Sequence, residues 1–447
     1  MAVTAGWRGK VSLIVSGSLL LAAATGCTGG SGNTGQPAAS PGETAASGKF
    51  DTNLTANLSM YVDISLPDEW YKKFIIDPVM KKFPNVKLEL VRRAKGVTPS
   101  ELVVADAFPD ILYNSPPRLN EYKELGLLYD MSELIKKYNV DLSKLNQPAM
   151  ETIKQLADKG QIVGLPFWVN WSALYYNKDI FDKFGEPYPK DGMTWEETIE
   201  LSKRLTKTDN GTSYRGLDHS LNGFAGQMSL GFVDAATEKP ALLQAEGFKR
   251  SYELLLSLYK IPGNQDRKTA PKDAFLKEKT LAMWPMYADV PSWIAELEAK
   301  GEKFNWDMVQ IPALKEAPGV SLAVDSHNLH VTSSSKNKEA AFQVIMYLLS
   351  EGPQLELVKN GFLTSSTDQE INKHFGEAMP TLKGKNLKPV FNSTPAPKGP
   401  MHKFDSIVSS EYNKAFAGVE NGSKDINSAL REASELAEKR IEEAKKK

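Results

Sequence analysis

Within six residues, Phe167–Ser172 (FWVNWS), two tryptophans flank an amide: Trp168, Asn170 and Trp171. Aromatic rings present broad apolar faces, and the amide presents both a donor and an acceptor. Tryptophans are mostly buried on average. These two bracket a polar residue just after an extended run that ends at Pro166, which suits the lining of a cleft better than a core. A second constellation is set aside. His327 and His330 lie three residues apart, but on an extended stretch that spacing sends them to opposite faces, so they do not form a metal pair. The other histidines, His219, His374 and His402, are scattered.

The one cysteine, Cys27, ends the uncharged run Val11–Ala24 plus Thr25 and Gly26, behind Arg8 and Lys10. A basic start, a short apolar segment and small residues before a cut site form a secretory signal peptide. The run is about 14 residues, short of the roughly 20 that span a bilayer. A thiol at the new N-terminus can take a diacylglycerol thioether, and LAAATGC resembles the lipobox of bacterial lipoproteins, with Ala24 where leucine is commonest. Residues 1–26 are then a signal peptide and 27–49 a lipidated tether, on the extracellular face of the cell membrane. Residues 28–49 are rich in Gly, Ser, Thr, Pro and Ala, so they form a flexible linker of roughly 25 Å reach. The rest is too long for one ordinary core and implies two or more domains. Cleaving residues 1–26 leaves 52 basic against 55 acidic residues. That balance, without a basic stripe, gives no sign of nucleic acid. No other cysteine exists for a disulfide or a thiolate metal site.

The elements that must carry these groups are legible in outline. Leu58–Ser65 and Val86–Val91 alternate as strands, Trp70–Phe83 is helical with a bend at Pro78, and Asp110–Tyr113 is a third strand. This βαβ rhythm builds an open α/β sheet, and ligands bind such sheets beyond the carboxyl ends of the strands. That rule selects Asp63 after strand one and Asn114 after strand three. Extended stretches follow at Ile162–Pro166, Ala173–Tyr176, Leu281–Trp284, Met308–Ile311 and Leu329–Thr332. Helices are expected from a Thr194/Glu197 capping box to Leu205, over Phe248–Tyr259 and Lys338–Leu349, and over Ile426–Ile441 with an apolar face.

Several segments, in order, resemble the extracellular solute-binding proteins of ABC importers, the family that includes the maltose-binding proteins. They are Pro109-Asp110-Ile111, Gly164-Leu165-Pro166, Tyr176-Asn177-Lys178-Asp179-Ile180-Phe181, Met193-Thr194-Trp195-Glu196-Glu197, Phe275–Met283 and Ser335–Gly352. Met193 stands where proline is commonest and Glu278 where glycine is. The resemblance implies two discontinuous α/β lobes joined by a hinge, with residues 50–172 and 313–365 in lobe one and 173–312 and 366–447 in lobe two. It implies a monomer without cofactor or catalytic activity that captures a carbohydrate between its lobes and passes it to ABC permease subunits. In such a site aromatic rings would cover the sugar's C–H face and polar groups would bond its hydroxyl rim. The resemblance assigns Trp284 and Tyr287, at the end of a buried strand, to ligand contact. Asp325 and His327, where the chain returns to lobe one, would bond hydroxyls beside Trp168, Asn170, Trp171, Asp63 and Asn114. His219 and Asn222 are weaker candidates, while Trp70, Trp195, Trp293 and Trp306 read as packing. A non-sugar solute on the same fold, or an extracellular carbohydrate-active enzyme, stays open as an alternative.

Overall fold

The computed structural model describes residues 50–447 except Ser65, Lys159, Asp266, Gln369 and Lys447. The signal segment, Cys27 and the tether lie outside the described residues.

Two sheets organise the chain. The first has six strands in the order β14-β4-β13-β3-β1-β2, formed by β1 (Ala56–Val62), β2 (Val86–Arg92), β3 (Ile111–Asn114), β4 (Leu165–Val169), β13 (Ser326–Val331) and β14 (Leu363–Thr364). β1 pairs in parallel with β2 and β3, while β13 runs antiparallel between β3 and β4. The second has five strands in the order β11-β5-β10-β7-β6, from β5 (Ser172–Asn177), β6 (Lys207–Asp209), β7 (Thr212–Leu217), β10 (Leu281–Tyr287) and β11 (Trp306–Val309). β10 pairs in parallel with β7 and antiparallel with β5. A short pair, β8 (Val233–Asp234) and β9 (Lys239–Pro240), decorates the second sheet's side of the chain. β12 (Val320–Ala323) pairs in parallel with β15 (Thr394–Ala396). Each large sheet has its own hydrophobic core, so the molecule has the two-lobed α/β architecture of periplasmic binding proteins.

Local chemistry accounts for most elements. The helical stretch after β1 passes through a π turn, Lys72–Ile76, before continuing over Asp77–Lys82. Pro78 has no N–H to donate and its ring crowds the carbonyl four residues back, and the wider turn accommodates both. The Thr194 hydroxyl accepts from Glu197 N at 3.2 Å, and Glu197 Oε2 accepts from Thr194 N at 2.8 Å, so the capping box starts helix Trp195–Leu205 as its sequence requires. The last helix, Ile426–Ala444, buries Ala429, Leu430, Ala433, Ala437 and Ile441 along one face. It packs beside helix Asp405–Glu420, which the sequence did not announce because Ser, Asn and Gly interrupt its apolar face.

The passage between the sheets is short. Only Asn170 and Trp171 separate β4, in the first sheet, from β5, in the second. The chain returns through Val324 and Asp325, between β12 and β13.

Candidate functional site

A cleft of about 670 Å³ opens beyond the carboxyl ends of β3 and β7. One wall is the segment after β3, with Pro116, Arg118, Asn120 and Glu121. The opposite wall is helix Leu221–Gln227 with Asn222, followed by Phe232 in the segment after it. The floor is the run after β15, from Lys398 to Ser409. Both walls follow strands of different sheets, which is where an open α/β fold exposes backbone and loop side chains to a ligand.

Polar groups are held there without being spent. Arg118 donates to the Asp63 carboxylate, which also accepts from Tyr122 Oη at 2.6 Å and pairs with Arg93 at 3.2 Å. Arg93 in turn bonds Glu121 at 2.8 Å. Asp63 itself is almost wholly covered, while Arg118 remains half exposed to the cleft. Asp63 therefore stands one layer behind the surface and orients the guanidinium. On the floor, Lys398 makes no ion pair among the described residues. Asp405 Oδ2 accepts from His402 N at 2.7 Å, and Asp405 Oδ1 is buried without a partner. Burial pushes the Asp405 carboxyl up to about 6, and burial likewise lowers His402. Asn222 Oδ1 accepts from Ser409 Oγ at 3.2 Å and Asn413 Nδ2 at 3.0 Å. A free ammonium and a half-open guanidinium can receive a ligand rich in hydroxyls, and Phe232 and the prolines offer apolar surface.

The structure places the other sequence candidates elsewhere. Trp168 is 3% exposed, stacks on His327 with ring centroids 3.9 Å apart, and donates Nε1–H to Tyr113 Oη at 3.0 Å. Tyr113 Oη also bonds His327 Nδ1 at 2.8 Å. Burial holds the His327 imidazole down at about 3, so the ring is neutral and its bare nitrogen accepts. Trp171 donates to the Gly361 carbonyl at 2.9 Å and packs on Phe375. Trp284 is 8% exposed and lies between Phe275 and Trp293. All three rings are covered, Trp168 on β4 and Trp284 on β10, and Trp171 in the passage between β4 and β5. Asn114 is buried at the end of β3, with Oδ1 placed 3.1 Å from His330 Nε2 and Nδ2 without a partner. His330 Nδ1–H donates to the Val163 carbonyl at 2.6 Å. A neutral ring then accepts at Nε2, and the amide orientation that turns Nδ2 towards it satisfies both groups. Asn170, Asp325 and Tyr287 gather at the passage between the sheets. Of the weaker candidates, Asn222 lines the cleft, while His219 is buried against Trp195 and Phe224.

The run Lys398–Asp405 was missed by the sequence reading. Its signal was a Pro/Gly-dense stretch carrying Lys, His and Asp directly before a helix, PAPKGPMHKFD.

The model of the bacterial extracellular solute-binding protein family matches residues 65–355. A multiple sugar-binding protein of Streptococcus mutans is 24% identical over 290 residues, 59% of this chain. The match spans 64% of that relative's length. Among solved structures, an ABC substrate-binding protein of Listeria monocytogenes in complex with cycloalternan aligns with a TM-score of 0.68 at 19% identity, over 87% of this chain and 99% of that one. A sugar transporter protein of Rhizobium etli in an open conformation aligns with a TM-score of 0.68 at 22% identity, over 86% and 99%. At these identities the structural likeness establishes the shared fold.

Proposed function

Because this chain belongs to the bacterial extracellular solute-binding proteins, we propose that its cleft captures a carbohydrate, an oligosaccharide by its size, and presents it to an ABC permease. The observation that carries this reading is the mixed lining of the cleft: the polar Arg118, Lys398 and Asn222 beside the apolar Phe232 and Pro400. A sugar ring needs donors and acceptors along its rim and an apolar patch for its C–H face, and this cleft offers both. The charges nearly balance, since Arg118, Lys398 and Lys403 face Glu121, Glu124 and Asp405, which favours a neutral ligand. Sugar ligands of the structural neighbours point the same way, as do the names of the relatives. The protein is a binder without catalytic activity, acts as a monomer, and is tethered to the outer face of the membrane through lipid on Cys27. No helix among the described residues is long and apolar enough to cross a bilayer.

A thermal-shift screen against mono- and oligosaccharides tests the reading. A ligand at 100 times its Kd adds about 2.7 kcal/mol to stability, which moves a melting transition measurably. Chromatography of the same mixtures checks that no sugar is cleaved. A screen with no shift, or cleaved product, would overturn the proposal.

A further inference from the structure

The passage between the sheets is cross-tied by one amide. Asn170 N donates to the Asp325 carbonyl at 2.8 Å, and Asn170 Nδ2 donates to Asp325 Oδ2 at 3.2 Å. Asn170 Oδ1 accepts from Ala288 N at 3.2 Å. Asn170 belongs to the first passage, Asp325 to the second, and Ala288 leads from β10 into helix Asp289–Ala299 of the second lobe. Around this node, Tyr287 Oη donates to the Ala323 carbonyl at 2.8 Å and Tyr175 Oη to the Tyr287 carbonyl at 3.2 Å. Three chain segments that must rotate past one another are thus fixed through a single side chain of 7% exposure.

We infer that Asn170 is the hinge-positioning residue of this protein, and that the Asp325 carboxyl it holds couples the angle between the lobes to pH. The inference rests on the reading of the chain as a two-lobed binder that closes about its ligand. The groups facing Asp325 are Asp289 at the helix start, Lys398 after β15, Tyr113 on β3 and Tyr287 on β10, with His327 two residues further on in β13. Burial, with a lesser contribution from Asp289, holds the Asp325 carboxyl up at about 6, against the bond from Asn170 and the charge of Lys398. A hydrated aspartate ionises near 3.9. The tied arrangement therefore keeps its proton better than an opened one in which water reaches Asp325. It is favoured at low pH and loses ground as pH rises through about 4 to 6, by about tenfold between pH 5 and pH 7.

Small-angle scattering of the full-length mature protein without ligand reads this directly. Wild type is expected to have a larger radius of gyration at pH 7 than at pH 5. Asp325→Asn keeps the shape and the acceptor oxygen but cannot ionise, so it should hold the pH 5 radius at both values. Asn170→Ala should expand the molecule at pH 5. If Asp325→Asn keeps the wild-type pH response, or if the wild-type radius is the same at both pH values, the inference fails. No ligand is present, so failure to bind any sugar leaves this readout intact. Conversely, a pH-insensitive radius would not disturb sugar binding measured separately.

Discussion

At the scale of single residues, the cleft's chemistry turns on groups left without partners. Asp405 Oδ1 is buried and unbonded, and the carboxyl is held up at about 6 by burial. Asp405→Asn keeps its volume and removes a charge that burial disfavours. We expect it to weaken binding of the sugar found in the screen by about tenfold or more, about 1.4 kcal/mol. Its melting temperature at pH 7 should be unchanged or raised, and calorimetric titration beside a melting curve checks both. The buried imidazoles act in the opposite direction on stability. His327 ionises at about 3 when folded because burial penalises its charged form, and an unfolded histidine ionises near 6.5. Between those values the unfolded chain binds the extra proton, so this residue's contribution is full above about 6.5 and is lost as pH falls. His327→Gln should therefore flatten the rise of unfolding free energy with pH, by up to about 1.4 kcal/mol per pH unit between pH 4 and 6. Urea titrations across that range measure it, and an unchanged slope would mean that the ring is solvated.

At the scale of elements, a short motif acquires its reason from packing. Gly164 precedes β4, and a Cβ there would lie 2.4 Å from His330 Cε1 and 2.5 Å from Nδ1. His330 cannot yield cheaply, since Val163 and Asn114 hold both its nitrogens. Gly164→Ala should cost about 1–3 kcal/mol of stability through overpacking, seen as a lower urea midpoint with an unaltered slope. The glycine of this Gly-Leu-Pro segment is a space left for a histidine on the neighbouring strand. Trp168 is likewise held by packing, stacked on His327 and bonded to Tyr113.

At the scale of the whole molecule, two lobes joined by passages as short as Asn170-Trp171 allow rotation with little internal repacking. Saturating sugar should reduce the radius of gyration, and an unchanged radius with a proven ligand would argue against closure. The proposed membrane attachment is tested at this scale as well. Cys27→Ala should move the protein from the membrane pellet to the soluble fraction in fractionated cells, and a variant that stays as firmly bound as wild type would refute the lipid anchor.

What the sequence determined by itself was local or carried by order along the chain. Alternation predicted the strands around β1–β3, Thr194 and Glu197 specified their helix start, and the ordered segments from Pro109 to Gly352 pointed to the family and its two-lobed fold. The carboxyl-end rule led to the neighbourhood of the cleft through Asp63, whose carboxylate accepts from the lining Arg118. What only the tertiary structure decided was which side of a strand faces the ligand and which distant runs meet. Trp168 has the residue type of a stacking surface, but its direction follows from its strand's register, and that register is set by a partner strand more than 150 residues away. Lys398, His402 and Asp405 reach the cleft through the pairing of β15 with β12, a long-range contact with no local signature. The tie from Asn170 to Asp325 is likewise invisible in sequence, because a hydrogen bond across 155 residues exists only once both passages are folded.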